Sequence, residues 1–315
     1  MERLRLGSAA AADTRGSAVA VGNFDGVHQG HQSLVRAAVA SARPAGRDAV
    51  VLTFDPHPAR VLRPELAPAA LSTLAQKEEL VAALGAPRLV VLEFDAAVAA
   101  LAPEAFAREV LEGALGAREV VIGESFRFGR AREGDARRLA ELGAKLGFAV
   151  QVVRPVLHAG RPISSSRVRE ALASGDVREA ELLLGRPYAL DAVVVHGEGR
   201  GGRIGIPTAN LQPEGQLVPR PGVYAGRCRL PGREIWPAVV NVGRRPTFGG
   251  GDLTVEAHLL DYEGDLYGAR VRLAFSARLR DEQRFESVAA LVARIREDVR
   301  TARELLLPPP GAGRL

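Results

Sequence analysis

The pattern of this chain changes near Gly185-Arg186-Pro187, and that change constrains its fold more than any other feature. Upstream, short apolar runs alternate with helical patterns. Runs 17–22, 49–54, 88–94, 118–123 and 148–153 are continuous and rich in Val, as expected of strands buried on both faces. Helical patterns separate them. The first covers 31–42, with Leu34, Val35, Ala38 and Ala42 on one face; the others cover 74–84, the stretch from Pro103 to just before Gly116, and 134–146. This alternation predicts a doubly wound parallel sheet, a fold that binds ligands at the C-terminal ends of its strands. Downstream, runs 188–196, 223–230, 235–242, 253–260 and 270–278 are separated by Gly/Pro turns rather than helices. They predict an antiparallel barrel, closed by a helix over 285–305. The tail 308–315 is rich in Pro and Gly and is expected to fray. The expected domains are 1–186 and 187–315, and 315 residues are enough for two cores.

Composition narrows the chemistry. Apolar residues make up 47% and charged residues 25%, the balance of a globular protein. No apolar run approaches the ~18 residues of a membrane span, and residues 1–16 lack the apolar stretch of a signal peptide, so a cytoplasmic location without membrane partners is expected. The single cysteine, Cys228, excludes an internal disulfide and a thiolate metal cluster. The net charge is +5, but no dense basic run interleaved with aromatics marks a nucleic-acid surface, and none is expected. The lysines are Lys77 and Lys145; every other basic side chain is Arg or His. No G-x-x-x-x-G-K-[ST] motif occurs. Phosphate chemistry would therefore rest mainly on Arg, His, backbone N–H groups and a metal. Nothing in the sequence specifies an oligomeric state.

Two segments in the first half point to nucleotide chemistry. The stretch Gly22-Asn23-Phe24-Asp25-Gly26-Val27-His28-Gln29-Gly30-His31 links the first predicted strand to the first predicted helix. Glycines let the backbone approach a phosphate, and a helix N-terminus offers unpaired N–H groups. His28 and His31, three apart, can face one ligand, and as protonated or hydrogen-bonding imidazoles could stabilise charge on ATP phosphates. The bland alternative is a surface histidine pair beside a turn. In the second segment, Ile163-Ser164-Ser165-Ser166-Arg167 precedes a helical pattern with Val168 and Leu172. It suits a phosphate grip and equally an ordinary serine cap.

The second half holds another set. His196-Gly197-Glu198-Gly199-Arg200-Gly201-Gly202-Arg203 runs into Gly205-Ile206-Pro207-Thr208-Ala209-Asn210. Such a loop can wrap a triphosphate through Gly197, Gly199, Gly201 and Gly202, or be a flexible hairpin. Thr208 and Asn210 offer hard oxygen ligands for Mg²⁺. Glu256 and His258 share one strand face, opposite Val255, Ala257 and Leu259. Glu256 is a candidate base, with a solvated strand residue as the alternative.

Together these segments resemble prokaryotic bifunctional riboflavin kinase/FAD synthetases. The N-terminal resemblance rests on GNFDGVHQGH (22–31), TFDPHP (53–58), GESFRFG (123–129) and ISSSRVRE (163–170). The C-terminal one rests on GRGGRIGIPTAN (199–210), NVGRRPTF (241–248), VEAHLLDYEGDLYG (255–268) and RLRDEQRFES (278–287). The resemblance covers roughly residues 18 to 300. It implies an α/β nucleotidyltransferase domain followed by a six-stranded antiparallel β-barrel kinase domain with a closing helix. It also implies ATP-dependent phosphorylation of riboflavin to FMN, then adenylylation of FMN to FAD with release of pyrophosphate. By resemblance His28 and His31 hold ATP phosphates, with the serine/Arg motif opposite. Thr208 and Asn210 bind Mg–ATP, Glu256 is the base for the ribityl 5′-hydroxyl, and Phe128 is a candidate to contact the flavin, with Phe126 and Phe128 as plain core residues the alternative. The sequence departs from the family at Ser125, where the motif usually has Asn or Asp; a shorter side chain there leaves the role of that position open. His57 in the TFDPHP turn reads either as a nucleotide contact or as a turn residue. Rival readings are a tRNA synthetase-like enzyme, against which the lysine-free second motif argues, and a non-catalytic flavin or nucleotide sensor.

Overall fold

A computed structural model describes residues 1–6, 16–197, 199–244 and 253–307. Glu198, residues 245–248 of the NVGRRPTF motif and the tail 308–315 lie outside the described residues. The chain forms two compact units, Met1–Ser165 and Ser166–Leu315.

The first unit contains β1 (Glu2–Leu6), β2 (Ala18–Val21), α1 (Gln29–Ala42), β3 (Ala49–Asp55), α2 (Pro58–Leu62), α3 (Leu74–Ala83) and β4 (Arg88–Glu93). These are followed by α4 (Ala96–Ala100), α5 (Pro103–Ala105), β5 (Glu119–Gly123), α6 (Ala136–Leu146), β6 (Ala149–Val153) and the short pair β7 (Leu157–His158) and β8 (Arg161–Pro162). Helix α5 runs on as a wider π-helical coil over Phe106–Ala114. Strands β1 to β6 make one parallel sheet in the order β1-β4-β3-β2-β5-β6. Along β2 and β3 successive side chains enter opposite cores. Val19, Val21, Val50 and Leu52 fill one; Ala18, Ala20, Ala49 and Val51 fill the other, beneath Leu34, Val35 and Ala38 of α1. Each buried Val or Leu contributes roughly 1.5–3 kcal/mol, and with both faces covered a slip of one residue would exchange the two sets of side chains.

The five strands expected from the sequence in this half are all present. β1 was not anticipated, because Glu2-Arg3-Leu4-Arg5-Leu6 reads as alternating charge; its leucines face the core from the edge of the sheet beside β4. β6 departs from the expectation of two buried faces. It is the opposite edge strand, and Ala149, Gln151 and Val152 are exposed. The order places a switch point at β2, with β3 on one side and β5 on the other. The crevice between diverging connections opens there, at the C-terminal ends of β2 and β5.

The second unit takes in α7 (Ser165–Ser174) from Ser166 on, and α8 (Val177–Leu184), which ends at the left-handed Gly185. There follow β9 (Tyr188–Val195), α9 (Arg200–Arg203), β10 (Ala209–Pro213), β11 (Gly222–Arg229), β12 (Ile235–Arg244), β13 (Leu253–Leu259), β14 (Arg270–Arg280) and α10 (Val288–Leu306). The six strands close an antiparallel barrel in the order β10-β13-β12-β11-β14-β9. Closure leaves no unpaired edge. Along β9 buried and half-buried residues alternate strictly, the signature of one face turned to the core. α10 packs Ala302 and Leu306 on Val223, Ala225, Val239 and Leu260. Helices α7 and α8 belong with the barrel: α8 packs on β9 and β14, and the Arg220 N–H donates to the Leu172 carbonyl at 3.0 Å. The break between units thus falls at 165/166, some twenty residues before the change of sequence pattern at 186/187.

Candidate active sites

In the first unit the loop 22–28 leaves β2 at the switch point and enters α1. Its backbone is unusual. Phe24 and Val27 take positive φ values of 48° and 41°, beside Gly26 at 78°. A β-branched residue in that region is a true outlier and needs support from its surroundings. Asp25 provides part of it: the buried carboxylate accepts from the N–H groups of Leu71 (2.9 Å) and Ser72 (3.2 Å), while Ser72 Oγ accepts from the Gly26 N–H. The Asn23 carbonyl accepts from Thr53 Oγ1 at 3.0 Å and from Lys77 Nζ at 2.8 Å. The Asn23 side-chain amide meets His57 Nε2 at 3.2 Å, and His57 Nδ1 accepts from Ala59 N–H, which caps α2. His57 is therefore a turn and cap residue that also touches the loop.

His28 caps α1: its Nδ1 accepts from the His31 N–H at 3.2 Å. A neutral ring accepting at Nδ1 carries its proton on Nε2. The two imidazoles stack with centroids 3.7 Å apart. Gly30 allows this, because a Cβ there would lie 3.1 Å from the His28 ring. Burial first, then His28 and Lys77, hold the His31 imidazole well below its ordinary pKa. His31 is therefore neutral at pH 7.

The serine motif meets this loop through Ser165, whose Oγ donates to the Asp25 carbonyl at 2.9 Å. Ser164 is half-buried and Ser166 exposed. The Arg167 guanidinium is buried and paired with Glu179 at 2.9 Å, tying α7 to α8. Ser125 lies on an exposed turn just after β5. Phe128 packs in the core against Phe106 and Phe126, the core alternative that the sequence left open, and a Cβ on Gly134 would overlap its ring. The structure gives it a packing role.

In the second unit the glycine loop folds onto the start of β10. A Cβ on Gly197 would fall 2.0 Å from the Asn210 amide nitrogen, and one on Gly201 would fall 2.4 Å from the Ile206 carbonyl oxygen and 3.1 Å from Thr208 Oγ1. Asn210 pairs across the barrel wall with Glu256 of β13. Thr208 Oγ1 donates to Glu256 Oε2 at 3.4 Å. Val255, Ala257 and Leu259 are buried while Glu256 and His258 are half-exposed, as strand alternation requires. His258 Nδ1 lies 2.7 Å from the Pro207 carbonyl; a carbonyl only accepts, so Nδ1 carries the proton and anchors the turn before Thr208. His196 and Tyr267 stack at 3.9 Å beside the loop. A hydroxyl, an amide oxygen and a carboxylate form a hard-oxygen set that fits Mg²⁺ better than a softer metal. No cluster of three or more His, Cys, Asp or Glu side chains able to hold a metal occurs among the described residues.

Ser72 and the Pro207 anchor of His258 carry no signal in the sequence, whereas Thr53 opens the TFDPHP motif and Lys77 is one of two lysines.

Each half of the chain resembles a known family. Residues 10–167 match the FAD synthetase family and residues 184–306 the riboflavin kinase family. The chain is 39% identical over 295 residues to the bifunctional riboflavin kinase/FMN adenylyltransferase of Pseudomonas fluorescens, covering 93% of this chain and 94% of that protein. It is 38% identical to that of Escherichia coli K12, over the same shares of each chain. The chain belongs to the bifunctional riboflavin kinase/FMN adenylyltransferase family. It is an enzyme with both activities, making FMN and FAD. To the Bacillus subtilis member the identity is 35%, over 91% of each chain. A solved structure described as a macrolide-efflux protein from Streptococcus pneumoniae shares the fold, with a TM-score of 0.87 and 31% identity over 96% of this chain and 98% of that one. No helix among the described residues is long and apolar enough to cross a membrane.

Proposed function

We propose that the loop 22–31 with Ser164 and Ser165 transfers the adenylyl group, and that Thr208, Asn210 and Glu256 phosphorylate riboflavin. The observation that carries this reading is the separation of the two sets: each lies within one compact unit and they share no residue. In the first reaction a phosphate oxygen of FMN attacks the α-phosphorus of ATP, the α–β bridging P–O bond breaks, and pyrophosphate leaves. Neutral His31 and the Nε2–H of His28 meet the growing negative charge with hydrogen bonds, beside the N-terminus of α1. Ser125, on an exposed turn after β5, would meet the flavin half of FMN.

In the second reaction the ribityl 5′-hydroxyl attacks the γ-phosphorus of ATP and ADP leaves. Glu256 orients that hydroxyl and accepts its proton as the phosphoryl group passes through a loose transition state. The glycine loop lies close enough to Thr208 and Asn210 to wrap phosphates around them. Thr208 and Asn210 would hold Mg²⁺, which when bound neutralises phosphate charge.

The test is a double dissociation in the full-length protein, with riboflavin or FMN supplied separately with Mg–ATP. His28→Ala should lower FAD formation by ~10²–10³-fold, the usual worth of one transition-state donor, and leave FMN formation unchanged. Glu256→Gln should lower FMN formation by ~10²–10⁴-fold and leave FAD formation from FMN intact. Equal losses of both activities in either folded variant would refute the assignment.

A further inference from the structure

We propose that Lys77 is a positioning residue for adenylyl transfer, holding the loop 22–28 from beneath. The inference rests on the adenylyl-site reading above. Lys77 comes from α3, is buried, and directs Nζ to two acceptors, the Asn23 carbonyl at 2.8 Å and Thr53 Oγ1 at 3.0 Å. Thr53, itself fully buried, donates to the same carbonyl. Two donors on one oxygen polarise the peptide joining Asn23 to Phe24 and make its N–H a stronger donor. That peptide opens the strained stretch at Phe24 and Val27, which persists only if its neighbours over-determine it. Asp25 fixes the far side of the loop and Lys77 the near side.

The residue type fits the task. Lys77 is one of two lysines among 42 Lys and Arg residues, in a chain that otherwise uses Arg. Both acceptors converge on one nitrogen, which suits an ammonium on a thin stem and not a planar fork. Since His31 is neutral, the fixed positive charge beneath the loop is that of Lys77. The charged groups facing it are Asp25 on the loop and Asp55 at the end of β3, with the neutral His31 on α1. Burial brings the ammonium down to about 8, against the pull of the two carboxylates.

The experiment uses the full chain with FMN and Mg–ATP from pH 6 to 9.5, with riboflavin phosphorylation run in parallel. Wild-type FAD formation should fall above pH about 8, a limb that FMN formation lacks. Lys77→Met should lower kcat for FAD formation by ~10–100-fold with KM for FMN little changed, as expected when a transition-state interaction weakens. It should also abolish the alkaline limb. His28→Ala serves as the reference. If His28→Ala retains FAD formation, the site reading itself fails; if only Lys77→Met retains it, the Lys77 proposal alone falls. A wild-type profile flat from pH 7 to 9, or a limb unchanged in Lys77→Met, overturns the proposal without depending on how the variant folds.

Discussion

Gly197 and Gly201 stand where one methyl group would displace a residue of the proposed kinase site. The Gly201 contact is with backbone, which cannot turn aside, whereas Asn210 can rotate away from position 197. Gly201→Ala should therefore depress FMN formation more than Gly197→Ala, with FAD formation from FMN untouched; assays on the two substrates decide it. At Ser125 the family's longer Asn would regain a polar contact worth ~0.5–1.5 kcal/mol, so Ser125→Asn should raise FAD turnover by about tenfold or less. Lys77 gives a pH prediction for stability. Its folded value of about 8 lies below the ordinary 10.5, so between those values the unfolded chain binds more protons. Stability from this group should rise from pH 8 to 10.5, and at pH 7 the full cost, on the order of 3 kcal/mol, is in place. Lys77→Met should thus raise the thermal midpoint at pH 7 while slowing FAD formation; a midpoint that falls counts against burial as the cause. The candidates His28, Thr208, Asn210 and Glu256 were legible because short motifs carry them. The inward role of Asp25 was not, because a motif gives residue types and no direction for the side chain.

Among the elements, strands with two buried faces announced themselves as unbroken Val-rich runs. The missed ones fail that pattern for physical reasons. β1 alternates Leu with Arg at a sheet edge, and β10 (Ala-Asn-Leu-Gln-Pro) is short, polar on the site face and ended by Pro213. α10 was foreseen as a closing helix, but what fastens it was not. Asp298, buried on α10, accepts from Arg280 of β14 through Nε at 3.0 Å and Nη2 at 2.8 Å. Breaking a buried pair from one side strands a charge and costs roughly 3–5 kcal/mol, while replacing both partners with apolar groups is often neutral. Asp298→Ala should lower the barrel's thermal midpoint by roughly 10 °C, and the double variant Asp298→Leu/Arg280→Met should recover most of it. Calorimetry of the three proteins checks this, and a double variant no better than the single one would show that the pair itself is needed.

At the scale of the whole molecule the question is where one catalytic unit ends. The sequence pattern changes at 186/187, because that is where helices give way to strands, but a compact unit is defined by burial. Val177, Ala180, Leu183 and Leu184 of α8 are buried, and α8 packs on β9 and β14. At the end of α7, Gly175 approaches Arg278 of β14 so closely that a Cβ would sit 2.7 Å from its Nε, and Arg278 in turn lies over the Tyr224 ring. A fragment cut at 187 would expose this face of the barrel. At roughly 1.5–3 kcal/mol per buried aliphatic side chain, the loss rivals the whole stability of a typical domain. The proposed kinase residues Thr208, Asn210 and Glu256 all lie on β10, β13 and the turn before β10, which neither cut touches. Fragment 166–315 should therefore fold and phosphorylate riboflavin at a rate within about threefold of the full chain, a change of under ~1 kcal/mol in barrier. Fragment 187–315 should carry the same groups in a far less stable frame, with a lower thermal midpoint and activity that decays on warming. Purifying both, recording their unfolding curves and assaying FMN formation at two temperatures separates the possibilities: equal midpoints would mean that α7 and α8 are passengers on the barrel rather than part of its fold.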